Sequence, residues 1–196
     1  LTGAAAAQLI LKHYGITDVQ IVPCRGELTD SYSPNEKVIR LSEKVYNSTS
    51  IAAVGIACHE AGHAAQHAED YLPNKIRSAL VPMTNFGSRF GLIIAFAGYF
   101  LAYFSNSPIG YYVIIAGLLL YGFVAVFQLV TLPVEFNASR RALKVIDETG
   151  ILAGEECNAA KSVLTAAALT YVAALATAIV NLLYYASRLL GNSKRN

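Results

Sequence analysis

The sequence predicts a mainly α-helical membrane protein, with about three transmembrane helices and a small antiparallel β-sheet. Three observations carry this. The 196 residues are 55% hydrophobic and only 14% charged, whereas an ordinary soluble domain is about 25% charged. The apolar residues gather in three long blocks, at 90–104, 110–132 and 162–190. Alternating apolar and polar residues, the mark of strands, occur only ahead of residue 46.

Taken in order, residues 1–15 read as a short helix that Thr2 caps and Gly15 ends at its C′ position. His13 falls near the C-terminus of that helix, where a cation is favoured. Asp18 to Val22 and Lys37 to Val45 alternate and read as the strands of the antiparallel sheet. The segment 26–35 between them is rich in turn formers. One edge strand of such a sheet can pair with an extended peptide, or the sheet can simply cover the next helix.

That next helix runs from about Ile51 to His67, with Ser or Thr of Asn47-Ser48-Thr49-Ser50 as its N-cap. It carries Cys58-His59-Glu60-Ala61-Gly62-His63, an H-E-x-x-H motif. Residues four apart share a helix face, so His59 and His63 can grip one Zn²⁺ from the same side. Glu60 beside them is then a base for the zinc-bound water. Two histidines on an amphipathic surface are the bland alternative. The small apolar flank Ile51–Cys58 argues for burial, and buried polar groups are costly unless paired or metal-bound. His67 lies eight residues beyond His59, about 12 Å along the axis. A zinc–nitrogen bond is only about 2 Å, so His67 reads as a supporting, rim or substrate-contact residue rather than a ligand.

Asp70 to Lys75 interrupts the helical pattern, and Ile76 to Arg89 is mixed. The first apolar block, 90–104, reaches the roughly 20 residues of a span only when counted back to Met83. Ser105–Ile109 is an uncharged turn, the second block is long enough to span, and the third is longer and rich in Ala and Thr. Tyr99, Tyr103, Phe104, Tyr111, Tyr112, Tyr184 and Tyr185 read as aromatic belts. The first two blocks form a hairpin, which puts Lys75 and Arg77 on one side with Arg140, Arg141 and Lys144. Basic flanks mark the cytoplasmic side, so the H-E-x-x-H helix is expected there. Arg188, Lys194 and Arg195 would fall outside if the third block spans; otherwise that block lies partly in the membrane plane.

The expected domains are therefore 1–75 with the H-E-x-x-H helix, 76–133 as a membrane hairpin, 134–161 as a connecting helix, and 162–190 as a transmembrane or membrane-embedded helix. Pro133 marks a helix start or kink. Glu135 follows it, and its carboxylate can complete a His₂Glu metal set; a salt-bridged Glu near Arg140 or Arg141 is the alternative. The net charge of +2 is small and scattered, so nucleic acid is not an expected partner. Three cysteines, an odd number with no C-x-x-C, argue against a disulfide framework.

With these residues in hand, the chain resembles the bacterial YugP family of membrane-bound neutral zinc metallopeptidases. The resemblance rests on Leu28-Thr29-Asp30 with Tyr32 and Pro34, on Val38-Ile39-Arg40-Leu41-Ser42, on the His59–His63 motif, and on Glu135-Phe136-Asn137-Ala138-Ser139-Arg140-Arg141. It implies a zincin-like catalytic unit of the gluzincin kind, in which a Glu of an E-x-x-A-D helix is the third ligand; that Glu is Glu135 here. Ser139 stands where the wider group has Asp, so Ser139 or Asn137 is the expected hydrogen-bond partner of a ligand histidine. Members of that family also carry an extra N-terminal membrane helix, which these 196 residues lack.

The expected function is a zinc metalloendopeptidase of the bacterial cell membrane acting on membrane or membrane-proximal polypeptides. Zn²⁺ sits on His59, His63 and Glu135, Glu60 is the general base, and Arg140 or Tyr32 is the donor to the oxyanion. The alternative is a non-catalytic adaptor with a structural zinc, which would need a fourth protein ligand.

Overall fold

A computed structural model describes residues 1–105 and 108–193, with side chains up to Gly191. Nine elements follow one another: α1 (Gly3–His13), β1 (Gln20–Cys24), β2 (Ser31–Ser33), β3 (Val38–Ser42), α2 (Glu43–Tyr46), α3 (Ile51–Ala68), α4 (Leu72–Ser105), α5 (Pro108–Thr149) and α6 (Glu155–Ser193). The protein is mainly α-helical with a three-stranded sheet. Asn106 and Ser107 of the expected turn, and Lys194 and Arg195 of the expected flank, lie outside the described residues.

The chain forms two compact units. The first comprises Leu1–Asn74 and Pro133–Leu169, the second Lys75–Leu132 and Thr170 onward. Within the first, Thr2 caps α1 by accepting from Ala5 N–H, and Ser50 caps α3 by accepting from Ala53 N–H. Gly15 takes the left-handed conformation just past α1, which glycine adopts without strain. The core joins Ala6, Ile10 and Leu11 of α1, Ile39 and Leu41 of β3, Val54, Ala57, Cys58 and Ala61 of α3, and Ala142, Val145 and Ile146 of α5. Helix α3 is thus packed on most sides, which explains its run of Ala and Gly: small side chains let these neighbours come close.

The sheet differs from the antiparallel pair expected. Its order is β1-β3-β2; β1 pairs parallel with β3 and only β2 pairs antiparallel with it. The third strand hides in the turn-rich segment. Leaving β1, residues 25–30 pass the end of β3, β2 runs back along its far side, and a tight turn feeds β3 into the middle. Asp30 closes the arrangement, its carboxylate accepting from the backbone N–H and the hydroxyl of Ser42. The strand expected to reach Val45 stops at Ser42 because Glu43–Tyr46 coils into α2.

Three helices, α4, α5 and α6, are long and apolar enough to cross a membrane. Each is longer than its apolar block. Helix α4 starts at Leu72 and absorbs the mixed stretch expected to lie apart, with Pro82 inside it. Helix α5 runs through Pro133 without stopping, so that proline is not a helix start. Its 42 residues are about twice what a bilayer requires. In the second unit α4 and α5 meet through glycines: a Cβ on Gly87 would lie 2.0 Å from the Leu120 carbonyl oxygen. Such close backbone approach is how helices associate where lipid cancels the usual apolar driving force. Ile93, Phe100, Leu119, Leu129, Val180 and Leu183 are left exposed on these helices, surfaces that suit a bilayer and not water.

Candidate metal centre

Two helices build the site. On α3, His59 and His63 stand one turn apart, their ring centroids 4.6 Å apart and their planes at 83°. On α5, Glu135 is buried, its side chain 4% exposed. It reaches α3 because Gly62, between the histidines, has no Cβ; one placed there would lie 2.5 Å from the Ala138 carbonyl oxygen. The two backbones touch beside the site, and Ala138 is one turn on from Glu135.

The three side chains converge on one point. His59 Nε2 lies 3.2 Å and His63 Nε2 3.4 Å from Glu135 Oε2, and the two Nε2 atoms lie 3.1 Å apart. Ligand atoms around one tetrahedral zinc, at bonds of about 2.0–2.1 Å, stand roughly 3.3 Å from one another. The observed separations match that spacing, and two imidazole nitrogens with one carboxylate oxygen are a donor set zinc accepts. Among the described residues, this potential metal group contains three side chains. Three ligands are the pattern of catalytic zinc, which keeps a fourth position open; structural zinc is closed by four.

Each of these two histidines has a polar partner on its other nitrogen, as metal-binding histidines usually do. Ser139 Oγ lies 3.0 Å from His59 Nδ1. Gln66 Oε1 lies 3.0 Å from His63 Nδ1, and Gln66 Nε2 donates to the Val134 carbonyl at 2.7 Å and to Asn137 Oδ1 at 2.9 Å. Burial pushes the Glu60 carboxyl above its ordinary range, against the pull of the two histidines. Burial disfavours charge on His63, but hydrogen bonding to Glu135 and the nearby Glu60 carboxylate outweigh it and hold its pKa above the usual value.

The remaining expected residues are distributed differently. Asn137 touches Gln66 and Arg141, not His59 or His63. Arg140 is exposed; the arginine drawn into the α3–α5 contact is Arg141, which donates to Asn137 and Glu69 and lies over the rings of Tyr14 and Tyr71. His67 is not among the three converging side chains; its Nδ1 lies 3.0 Å from the Tyr32 hydroxyl. Sequence reasoning passed over Gln66 and Arg141. Their signals were spacing: Gln66 is one turn beyond His63 and the polar member of an otherwise apolar turn, and Arg141 is one turn beyond Asn137.

An H-E-x-x-H helix with a carboxylate from a second helix, joined to three membrane-length helices, defines the class of zinc peptidases associated with membranes. Residues 1–189 match the family described as "Putative neutral zinc metallopeptidase", and the chain belongs to that family. Zn²⁺ is the metal the family implies. Over 195 residues the chain is 42% identical to a Bacillus subtilis (strain 168) protein described as "Putative membrane protease YugP"; the match covers all of this chain and 84% of that relative. No solved structure matches it significantly.

Proposed function

We propose that this protein is a membrane-embedded zinc endopeptidase that hydrolyses peptide bonds of membrane or membrane-proximal polypeptides. The observation that carries the reading is the spacing of the His59, His63 and Glu135 donor atoms, 3.1–3.4 Å apart, with Glu60 next in the chain to a ligand. His59, His63 and Glu135 would hold the ion. Bound there, Zn²⁺ would supply Lewis-acid activation of water and of the scissile carbonyl.

The chain's own groups do the rest. The Glu60 carboxylate takes a proton from the attacking water and returns it to the leaving amine. Ser139 and Gln66 hold the two imidazole rings, and Tyr32, on the edge strand β2, is the residue proposed to meet substrate. Lys75 and Arg77 at the start of α4, with Arg140, Arg141 and Lys144 late in α5, support a cytoplasmic active site by the excess of basic residues on that side.

Glu60→Gln tests the reading. The variant is expected to bind zinc with wild-type stoichiometry and to lose cleavage of casein or a membrane-anchored peptide. A variant that still cleaves refutes the mechanism.

A further inference from the structure

We infer that Gln66 is a positioning residue that fixes the tautomer of His63, so that its Nε2 is left without a proton and faces the point shared with His59 and Glu135. This deepens the zinc reading of the site and rests on it.

The argument is one of donors and acceptors. The Arg141 guanidinium can only donate, and its Nε lies 2.8 Å from Asn137 Oδ1. That atom is therefore the oxygen of the Asn137 amide. A backbone carbonyl can only accept, and Val134 O lies 2.7 Å from one end of the Gln66 amide. The same end lies 2.9 Å from Asn137 Oδ1. It is the NH₂ end, with both hydrogens used. The Gln66 oxygen has one place left to point, and it lies 3.0 Å from His63 Nδ1. Nδ1 must supply the hydrogen. A neutral imidazole that carries its proton on Nδ1 presents a lone pair at Nε2, and His63 Nε2 is the atom 3.4 Å from Glu135 Oε2.

Gln66 is completely buried, so no solvent competes for its amide and a flipped amide would set two acceptors against its oxygen. The device also ties the two ligand-bearing helices together. Gln66 belongs to α3, and its partners Val134 and Asn137 flank Glu135 on α5. Arg141, held by Glu69 and lying over Tyr14 and Tyr71, keeps the Asn137 amide from turning.

The test is made on the full-length chain in detergent, with its histidine nitrogens ¹⁵N-labelled. There are four histidines; substitutions of the exposed His13 and His67 assign two of the signals, and His59→Gln tells the remaining pair apart. In zinc-free wild type, at a pH high enough for the ¹⁵N shifts to show His63 as a neutral ring, which its contact with Glu135 places above the ordinary histidine range, the proton is expected on Nδ1. Gln66→Met is expected to move it to Nε2 and to weaken zinc binding, measured by chelator competition, by about 10–100-fold. Gln66→Glu keeps an acceptor at Nδ1 and is expected to keep the proton there. A wild-type His63 protonated at Nε2 overturns the inference, and this measurement requires no variant to fold. So does a Gln66→Met chain with tautomer and zinc affinity unchanged, or loss of the Nδ1 proton in both variants alike. A protein that binds zinc and cleaves nothing would refute the peptidase reading while leaving the tautomer result standing.

Discussion

Gly62 and Ala138 bring two helices into backbone contact: a Cβ on Gly62 would stand 2.5 Å from the Ala138 carbonyl oxygen. Helix α3 supplies two of the converging donor atoms and α5 the third, so this contact sets how far Glu135 must reach. Gly62→Ala is expected to push the helices apart, at a cost of about 1–3 kcal/mol for overpacking, and to weaken zinc binding more than it weakens folding. Chelator competition and thermal unfolding on the same preparation check this. Wild-type zinc affinity in Gly62→Ala would show that the close contact is not what holds the ligands in register.

Ser139 lies 3.0 Å from His59 Nδ1. Ser139→Ala removes that partner and is expected to lower zinc affinity about 10–100-fold. Ser139→Asp offers a carboxylate at the same place and is expected to restore affinity to the wild-type level or above it, since a charged acceptor makes the stronger hydrogen bond. Zinc titration of the two variants decides it.

Cys58 is fully buried, and burial pushes its thiol up to about 12. Reactivity needs the thiolate, so a maleimide at neutral pH is expected to modify the half-buried Cys24 well before Cys58, as mass spectrometry of labelled peptides would show. A pH dependence follows. The unfolded thiol ionises near about 8.5, while the folded one keeps its proton until about 12. The raised folded value means that this contribution to stability is complete below about 8.5 and is lost as pH climbs toward 12. The loss is about 1.4 kcal/mol per pH unit for one proton. Denaturant midpoints of wild type and Cys58→Ala should diverge in that window, with the wild type falling faster.

Gln128 Oε1 and Thr131 Oγ1 are buried in α5 with no hydrogen-bond partner among the described residues. An unpaired buried polar group costs about 1–3 kcal/mol, and replacing it with an apolar group of the same shape relieves that cost. Thr131→Val is expected to leave thermal stability in detergent unchanged or raise it. A clear drop in melting temperature would reveal a partner for the hydroxyl.

Several of these features are legible in the sequence because they depend on local pattern. The α3 helix is announced by the Ser and Thr residues of 47–50 as candidate caps, by the small apolar run 51–58, and by a motif whose spacing is helical. The three membrane-length helices are announced by apolar length. What is not legible depends on pairing at a distance. Whether β1 meets β3 parallel or antiparallel is decided by the path of residues 25–30, and a three-residue strand such as β2 is too short for its alternation to show. Pro133 looks like a boundary because proline usually costs a helix one hydrogen bond, yet α5 continues through it. Arg140 and Arg141 are neighbours in sequence and about 100° apart on a helix. Only the position of α3 shows that Arg141 faces inward and Arg140 outward.

His59 and Glu135 are 76 residues apart in the chain. During synthesis, a chain cut short after His63 and before Glu135 carries the two imidazoles without their acidic counterpart. On the proposed peptidase reading, such a product would have at most a weak grip on zinc, and so no hydrolytic power to turn on the proteins around it. Competence would arrive late, when the last ligand has emerged and its helix has docked, and occupancy by the ion would then report that assembly of this part of the chain is finished.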